Sequence, residues 1–542
     1  MDTRRRRRVR SFAAPLPTVL VASLVSALVL AGCSGAADIA NGNPPSSGQS
    51  SGSTEAPTDS PRTGPADLAD LPEGFGEGPP GTGLQRFVDQ DVSWESCEGG
   101  ECADIWVPLD YADPDGLAIT LKAKRQTATD DAKRRGSLFI NPGGPGESGI
   151  EYLGFIGLPD NVKAMYDVVG FDPRGVASST PVDCLSDSDL DAYIASDPTP
   201  DDDQEVQQLE DGFATFSQGC VNESGPLVEH VSTVEVARDL DLMRQLVGDK
   251  KLNFFGASYG TYIGATYAGL FPKKVGRMVL DGAVDPLADP HKVALHQTAG
   301  FQTALDAYLQ DCIDKGNCPL GDSVAEGEQT FIDFFKSLDQ SPLPTSSGRD
   351  LTEGLGFLGV IVTLYSKESW PYLTQAMQQA LSGSGDTLLA LADFYNHRKA
   401  DGTYTGNSTE ANPAVNCLDH PQDVSVQQIE GNEQEFLKAS NVFGRVGMWF
   451  DYGCSNWPVT STEKQPDFSA KGAPPIVVVG TTRDPATPYA QAVKLADELD
   501  SGVLLSRDGD GHTAYSSGNS CIDDAINGFF LTGTPPADGK QC

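Results

Sequence analysis

The chain has 542 residues, and its 38 lysines and arginines against 76 aspartates and glutamates give a formal net charge of −38 at pH 7. A protein this acidic repels nucleic acid and anionic lipid, which excludes both as expected partners. Its length exceeds what one compact core usually holds, so the sequence predicts two domains or one domain with a sizeable insertion.

The N-terminus has the parts of a bacterial export signal. Basic residues at Arg4–Arg8 precede the apolar stretch Pro15–Ala31, which is short for a membrane span and runs into Leu30-Ala31-Gly32-Cys33. These last four residues resemble the lipobox of bacterial lipoproteins, which implies cleavage before Cys33 and a lipid on its thiol. The alternative is ordinary cleavage near Ala36-Ala37, with Cys33 discarded.

The segment after the cleavage site is rich in Ser, Gly, Pro, Asp and Thr and has few large apolar side chains. It cannot bury enough apolar surface to offset the entropy of the chain. We therefore expect a signal peptide at residues 1–32 and a flexible, lipid-anchored stalk at residues 33–80. The Cys33 lipid would be the only membrane attachment.

Ten cysteines follow Cys33, and an even number in an exported protein predicts five disulfides. Sequence alone does not fix their connectivity, but spacing ranks neighbouring cysteines as partners: Cys97/Cys102, Cys184/Cys220, Cys312/Cys318, Cys417/Cys454 and Cys521/Cys542. Zinc binding is the rival interpretation. The lack of a Cys-x-x-Cys pair and the scatter of the six histidines argue against any metal site.

The most informative motif is Gly256-Ala257-Ser258-Tyr259-Gly260. In a chain with 58 glycines a G-x-S-x-G motif can occur by chance, so the residues on either side of it determine whether it indicates a catalytic serine. Lys251–Phe255 predicts a short buried strand, and Thr261–Leu270 predicts a packed helix. Strand, motif and helix together are typical of a nucleophile elbow, which exposes the Ser258 hydroxyl and places the Tyr259 N–H where an oxyanion would form.

A glycine-rich loop follows the predicted strand Gly136–Asn141 and reads Pro142-Gly143-Gly144-Pro145-Gly146. Glycines let backbone N–H groups face a pocket without a Cβ in the way. A plain turn is the alternative. The density of glycine and the next predicted strand, Tyr166–Phe171, favour an oxyanion loop in which the Gly144 N–H is the second donor.

Two later loops supply an acid and a base. The apolar run Pro475–Gly480 predicts a strand buried on both faces, and Asp484 follows it. His512 stands in a Gly/Asp loop after the shorter predicted strand Val503–Ser506. The order Ser, Asp, His along the chain is that of an α/β-hydrolase triad. Asp281, after the predicted strand Arg277–Leu280, is the second candidate for the acid.

The chain between Ser258 and Asp484 is longer than a minimal α/β-hydrolase needs, so a segment is inserted there. Its pattern predicts mainly helices, at His291–Lys315, Ser323–Leu338, Phe357–Leu381, Asp386–Phe394 and Val426–Ala439. We expect an α/β-hydrolase core at residues 81–285 and 467–542 with a helical lid at residues 286–466. Such lids shape the substrate pocket and exclude water.

Several segments together resemble the secreted tripeptidyl aminopeptidases, which are α/β-hydrolase serine peptidases related to proline iminopeptidase. They are NPGGPGESG, VVGFDPRG, GASYGTYIGATYAGLFP, VLDGAVDP, CSNWP, GTTRDPATP and GDGHTAYSSGNSC. The likeness covers about residues 88–542 in the same order, and the combination is specific although no single segment is.

The resemblance implies Ser258 as nucleophile, Asp484 as acid, His512 as base, and Gly143-Gly144 with Tyr259 as the oxyanion site. It also implies release of short peptides, often tripeptides, from a free N-terminus, with no metal or organic cofactor. An acidic side chain in the lid would then bind the substrate's α-ammonium group, and Asp419 is the first candidate.

Two other functions fit the same residues. An esterase or lipase would use the same triad, but the lid lacks a long apolar face. A surface lipoprotein that binds peptides without cleaving them would suit the stalk and the acidic body, but the complete set of Ser258, Asp484 and His512 argues against it.

Overall fold

A computed structural model describes residues 71–542, and the described strands form one mixed sheet of 11 strands: β1 (Phe75–Gly76), β2 (Glu95–Cys97), β3 (Gly100–Pro108), β4 (Ala118–Gln126), β5 (Gly136–Asn141), β6 (Tyr166–Phe171), β7 (Leu252–Ala257), β8 (Val275–Asp281), β9 (Ile476–Arg483), β10 (Gly502–Asp510) and β11 (Lys540–Gln541). Their order across the sheet is β11-β10-β9-β8-β7-β5-β6-β4-β3-β2, and β1 pairs with β4. The predicted signal peptide and Cys33 lie outside the described residues.

The sheet is parallel from β6 through β5 and β7 to β11, whereas β1 to β4 pair antiparallel with their neighbours. Its central strands are buried on both faces. Phe254 of β7 packs in one core cluster and Phe255 in the other, and Val478 and Val479 of β9 alternate in the same way. This explains why these strands read as uninterrupted apolar runs. The architecture is the predicted α/β-hydrolase fold.

The described helices lie before, within and after an insertion between β8 and β9. The helices before the insertion are α1 (Gln85–Val88), α2 (Gly149–Tyr152), α3 (Asp160–Lys163), α4 (Asp187–Ile194), α5 (Asp203–Ser224), α6 (Thr233–Leu246) and α7 (Tyr259–Leu270). The helices within it are α8 (Pro290–Lys315), α9 (Val324–Gln340), α10 (Glu353–Leu364), α11 (Trp370–Ala380), α12 (Asp386–Tyr395), α13 (Ser408–Asp419), α14 (Val426–Ala439) and α15 (Gly444–Met448). The helices after it are α16 (Tyr489–Glu498) and α17 (Ser520–Thr532). The insertion is the mainly helical lid, and Phe331, Trp370 and Leu388 belong to an apolar core of its own.

One helix prediction within the lid was wrong, and one helix of the lid was missed. The predicted helix Phe357–Leu381 is divided into α10 and α11, because Ser366 is extended and Pro371 occupies the first turn of α11. Helix α13 was not predicted, since it contains Asn412, Pro413 and Asn416, which are poor helix formers.

The boundary of the predicted stalk also differs from the structure. Phe75 of β1 pairs with Ile119 of β4, and Pro79 is buried. The folded body therefore includes residues 71–80, which the composition had assigned to the stalk.

Five disulfides join the described cysteines, and each links the neighbours that the spacing ranked as partners: Cys97–Cys102, Cys184–Cys220, Cys312–Cys318, Cys417–Cys454 and Cys521–Cys542. Among residues 71–542, no helix has the length and apolar character to cross a membrane.

Candidate active site

Ser258 stands in the sharp turn between β7 and α7, with φ 54° and ψ −127°. This is a sparsely populated conformation for a residue with a side chain. The flanking glycines make it possible. A Cβ on Gly256 would lie 2.2 Å from the carbonyl oxygen of Gly260, and a Cβ on Gly260 would lie 2.8 Å from the carbonyl oxygen of Asn141. The turn leaves the Ser258 side chain partly exposed at the end of the sheet.

His512 and Asp484 lie in contact at the ends of β10 and β9. The Nδ1 atom of His512 is 2.8 Å from Oδ1 and 3.0 Å from Oδ2 of Asp484, whose side chain is fully buried. Because the carboxylate accepts the Nδ1 proton, the neutral ring has a free lone pair on Nε2, as a general base requires.

Backbone groups hold the Asp484 carboxylate in place. It accepts N–H groups from Ala486 (3.0 Å), Thr487 (2.9 Å) and Thr513 (3.1 Å). The hydroxyl of Thr487 also lies 3.3 Å from His512 Nδ1. Sequence reasoning missed Thr487, although its place in the GTTRDPATP segment, three residues after the predicted acid, was a usable signal.

The pKa of His512 is shifted by two opposing effects. Burial disfavours the charged imidazolium, but the carboxylate of Asp484, and then that of Asp281, outweighs it and raises the pKa above 6.5. The imidazolium form of His512 is therefore stabilised at this site.

Asp281, the second candidate for the acid, binds backbone instead of the His512 ring. Its buried carboxylate accepts the N–H groups of Ala514 (3.0 Å) and Tyr515 (2.8 Å), and its carbonyl oxygen accepts the Ser258 N–H at 2.8 Å. Burial raises its pKa to about 6. Asp281 thus joins the serine turn to the loop that carries His512.

The glycine-rich loop lies against the serine turn. A Cβ on Gly143, whose φ is +104°, would lie 2.8 Å from both the Cβ of Ser258 and the backbone nitrogen of Tyr259. The Gly143 N–H is occupied by Asn141 Oδ1 at 3.0 Å. Among the described residues, the N–H groups of Gly144 and Tyr259 have no acceptor. They are therefore available to an oxyanion.

Asp419 lies near the site but is engaged by its neighbours. It is buried at the end of α13, where Oδ1 accepts the Thr233 N–H at 2.9 Å and Oδ2 accepts the Thr233 hydroxyl. The same hydroxyl contacts the Tyr259 phenol. Burial raises the pKa of Asp419 to about 7. These contacts disfavour Asp419 as the amine-binding residue, which stays a prediction.

The segment between α10 and α11 places the lid in contact with His512. The carbonyl oxygen of Tyr365 accepts the backbone N–H of His512 at 2.8 Å. The Tyr365 ring packs edge-on against the imidazole, with ring centroids 5.5 Å apart. Lys367 pairs with Asp510 at 3.3 Å. Sequence reasoning missed Tyr365, since the segment was predicted as continuous helix.

Comparison with known proteins gives relatives along most of the chain. The profile of the family described as "TAP-like protein" matches residues 440–542. The chain is 41% identical over 480 residues to serine protease Hip1 of Mycobacterium tuberculosis, an alignment that covers 84% of this chain and 91% of that protein. It is 37% identical to carboxylesterase B of the same organism, covering 84% and 90%. It is 29% identical to tripeptidyl aminopeptidase of Streptomyces lividans, covering 84% and 87%.

Two of these relatives are more than 30% identical to this chain over 84% of its length. The chain belongs to the tripeptidyl aminopeptidase family of α/β-hydrolase serine peptidases.

Proposed function

We propose that the protein is an exported serine exopeptidase that removes short peptides, tripeptides in particular, from free N-termini. The observation that carries this proposal is the junction of three loops at one end of the sheet. The strained Ser258 turn contacts the glycine-rich loop with its free Gly144 N–H, and Asp281 joins the same turn to the loop of the Asp484–His512 pair. The tripeptidyl specificity is supported by the relative that carries that name.

In the proposed reaction, the Ser258 hydroxyl attacks the scissile carbonyl while His512 Nε2 takes its proton. Asp484 holds the ring and stabilises the imidazolium. The Gly144 and Tyr259 N–H groups donate to the oxyanion of the tetrahedral intermediate. His512 then protonates the leaving amine, and water hydrolyses the acyl-enzyme by the same route in reverse. None of these steps needs a metal or an organic cofactor.

We also propose that the enzyme works outside the cytoplasm, attached to the membrane by a lipid on Cys33. The sequence pattern at the N-terminus supports this placement, as does the even number of cysteines after Cys33. The five disulfides among the described cysteines are consistent with an oxidising compartment.

A fluorophosphonate probe tests the catalytic part of the proposal. The wild-type body should be labelled on Ser258, and Ser258→Ala should not be labelled while its thermal unfolding stays the same. A wild type that resists the probe would instead support a peptide-binding lipoprotein.

Carboxylesterase activity is the second candidate, because one relative at 37% identity carries that name. The triad cannot distinguish esters from amides. Comparing a peptide amide with an acyl ester of matched leaving-group reactivity decides between them: a peptidase should turn over the amide with kcat/KM comparable to the ester, whereas an esterase should cleave only the ester.

A further inference from the structure

We propose that Glu147, held in place by the lid residue His397, binds the α-ammonium group of the peptide substrate. This inference rests on the aminopeptidase function proposed above and names the residue that recognises the chain end. Glu147 directly follows the glycine-rich loop, and its N–H donates to the carbonyl oxygen of Gly143 at 3.3 Å. Its carboxylate therefore lies on the same loop as the proposed oxyanion donor Gly144.

The lid covers this loop with α13 and the segment before it. A Cβ on Gly146 would lie 2.8 Å from Ser408 Cα, and Asn412 Nδ2 donates to the carbonyl oxygen of Pro145 at 3.3 Å. His397 then brings its Nε2 to 3.2 and 3.4 Å from the two carboxylate oxygens of Glu147. Glu147 thus sits where core and lid meet beside the proposed catalytic residues.

The carboxylate keeps the capacity to bind a second cation. The Glu147 side chain is 39% exposed, and a carboxylate offers about four lone-pair positions, whereas His397 supplies one N–H. The hydrogen bond to Glu147, and then its charge, raise the pKa of His397, whereas burial alone would lower it. Among the described residues, no lysine or arginine pairs with Glu147. An ammonium group therefore finds an incompletely neutralised, partly desolvated anion.

Two partly buried tyrosines of the lid, Tyr395 and Tyr365, lie next to each other near His512. Burial raises the pKa of Tyr395, and the charge of Glu147 adds to that effect. The ring centroids of Tyr395 and Tyr365 are 6.2 Å apart, and Tyr365 packs on His512. Tyr395 and Tyr365 therefore form an aromatic pair beside His512.

The place of Glu147 on the glycine-rich loop suits a short peptide. An extended chain spans at most about 3.3–3.6 Å per residue, so the amine of a bound tripeptide lies within about 10 Å of its scissile carbonyl. Glu147 is three residues along the chain from Gly144, whose N–H would bind that carbonyl. Because the Glu147 N–H bonds back to Gly143, Glu147 lies one turn from Gly144, within reach of the ammonium group of a short acyl segment.

The test compares the 4-nitroanilide of trialanine with its N-acetyl derivative in each variant and takes the ratio of the two kcat/KM values. Using the ratio removes any general loss of activity. In the wild type the free amine should be favoured by at least about tenfold, the value of a charge-assisted contact in a partly buried site. Glu147→Gln should bring the ratio close to one, mainly by raising KM for the free peptide.

The matched control is Glu151→Gln, which removes an exposed carboxylate one turn further along, in α2. This variant should keep the wild-type ratio. Asp419→Asn should keep it as well. If Glu147→Gln does not fold, Glu147→Asp, with its carboxylate withdrawn by one methylene, should lower the ratio by a smaller amount.

A wild-type ratio that persists in Glu147→Gln and disappears in Asp419→Asn would overturn this assignment and leave the aminopeptidase function standing. A wild type that cleaves both substrates equally would overturn the aminopeptidase function itself.

Discussion

Ser258, Asp484 and His512 have separable parts in the proposed reaction. Ser258→Ala removes the nucleophile and should lower kcat by on the order of 10⁶. Asp484→Asn keeps the shape of the site but stabilises the wrong tautomer of His512, so a loss of about 10⁴ is expected. Asp281→Asn should cost less, because Asp281 contacts the backbone of the base loop and not the ring. Steady-state kinetics on one peptide anilide measures all three, and a larger loss in Asp281→Asn than in Asp484→Asn would show that the acid is misassigned.

The environment of His512 predicts the pH dependence. The base must be neutral to accept the serine proton, and its pKa is raised above 6.5. Activity should therefore be lost as pH falls through a midpoint above 6.5, and Asp281→Asn should lower that midpoint. The rate of fluorophosphonate inactivation against pH measures it without a titrating substrate. A midpoint at or below 6.5 in the wild type would contradict this reading of the site.

At the scale of elements, the strands and their C-terminal loops could be predicted from the sequence. β5 and β6 begin and end at the predicted residues, because strands buried on both faces read as continuous apolar runs. Ser258 and Asp484 were predicted from their positions after such strands, and His512 from its place in the loop after the shorter predicted strand Val503–Ser506.

Other elements depend on contacts between distant parts of the chain. β1 has only two residues and exists through its pairing with β4. The contact between Glu147 and His397 joins residues 250 positions apart. No local pattern marks it, since a glutamate after a glycine-rich loop and a histidine after a helix are each unremarkable alone.

We expect the stability of helix α13 to depend on a disulfide to another part of the lid. It contains Pro413 and is linked by Cys417–Cys454 to the turn after α15. Closing a loop of 37 residues should stabilise the fold by about 3–4 kcal/mol, against about 2 kcal/mol for the five-residue loop of Cys97–Cys102. Replacing both cysteines of one pair by serine, followed by thermal unfolding, compares the two. An equal or larger loss for the Cys97–Cys102 pair would contradict the argument.

At the scale of the whole molecule, the proposed location of the enzyme depends on the N-terminal segment. The mature chain should begin at Cys33 and partition with membranes, because a lipid with more than one acyl chain on that cysteine would anchor it stably. Cys33→Ser should release or misprocess the protein. Mass spectrometry of the mature N-terminus, with membrane fractionation, checks this. An unlipidated wild type that begins near Ala37 would reject the anchor.

The measurement that tests the central claim most directly is digestion of a peptide library by the purified body, followed by mass spectrometry. It reports which end is attacked and how many residues are released. We predict short products, chiefly tripeptides, from free N-termini, no products from N-acetylated peptides, and no cleavage by Ser258→Ala. Internal cuts irrespective of the N-terminus, or intact peptides alongside rapid ester hydrolysis, would contradict the proposed exopeptidase function.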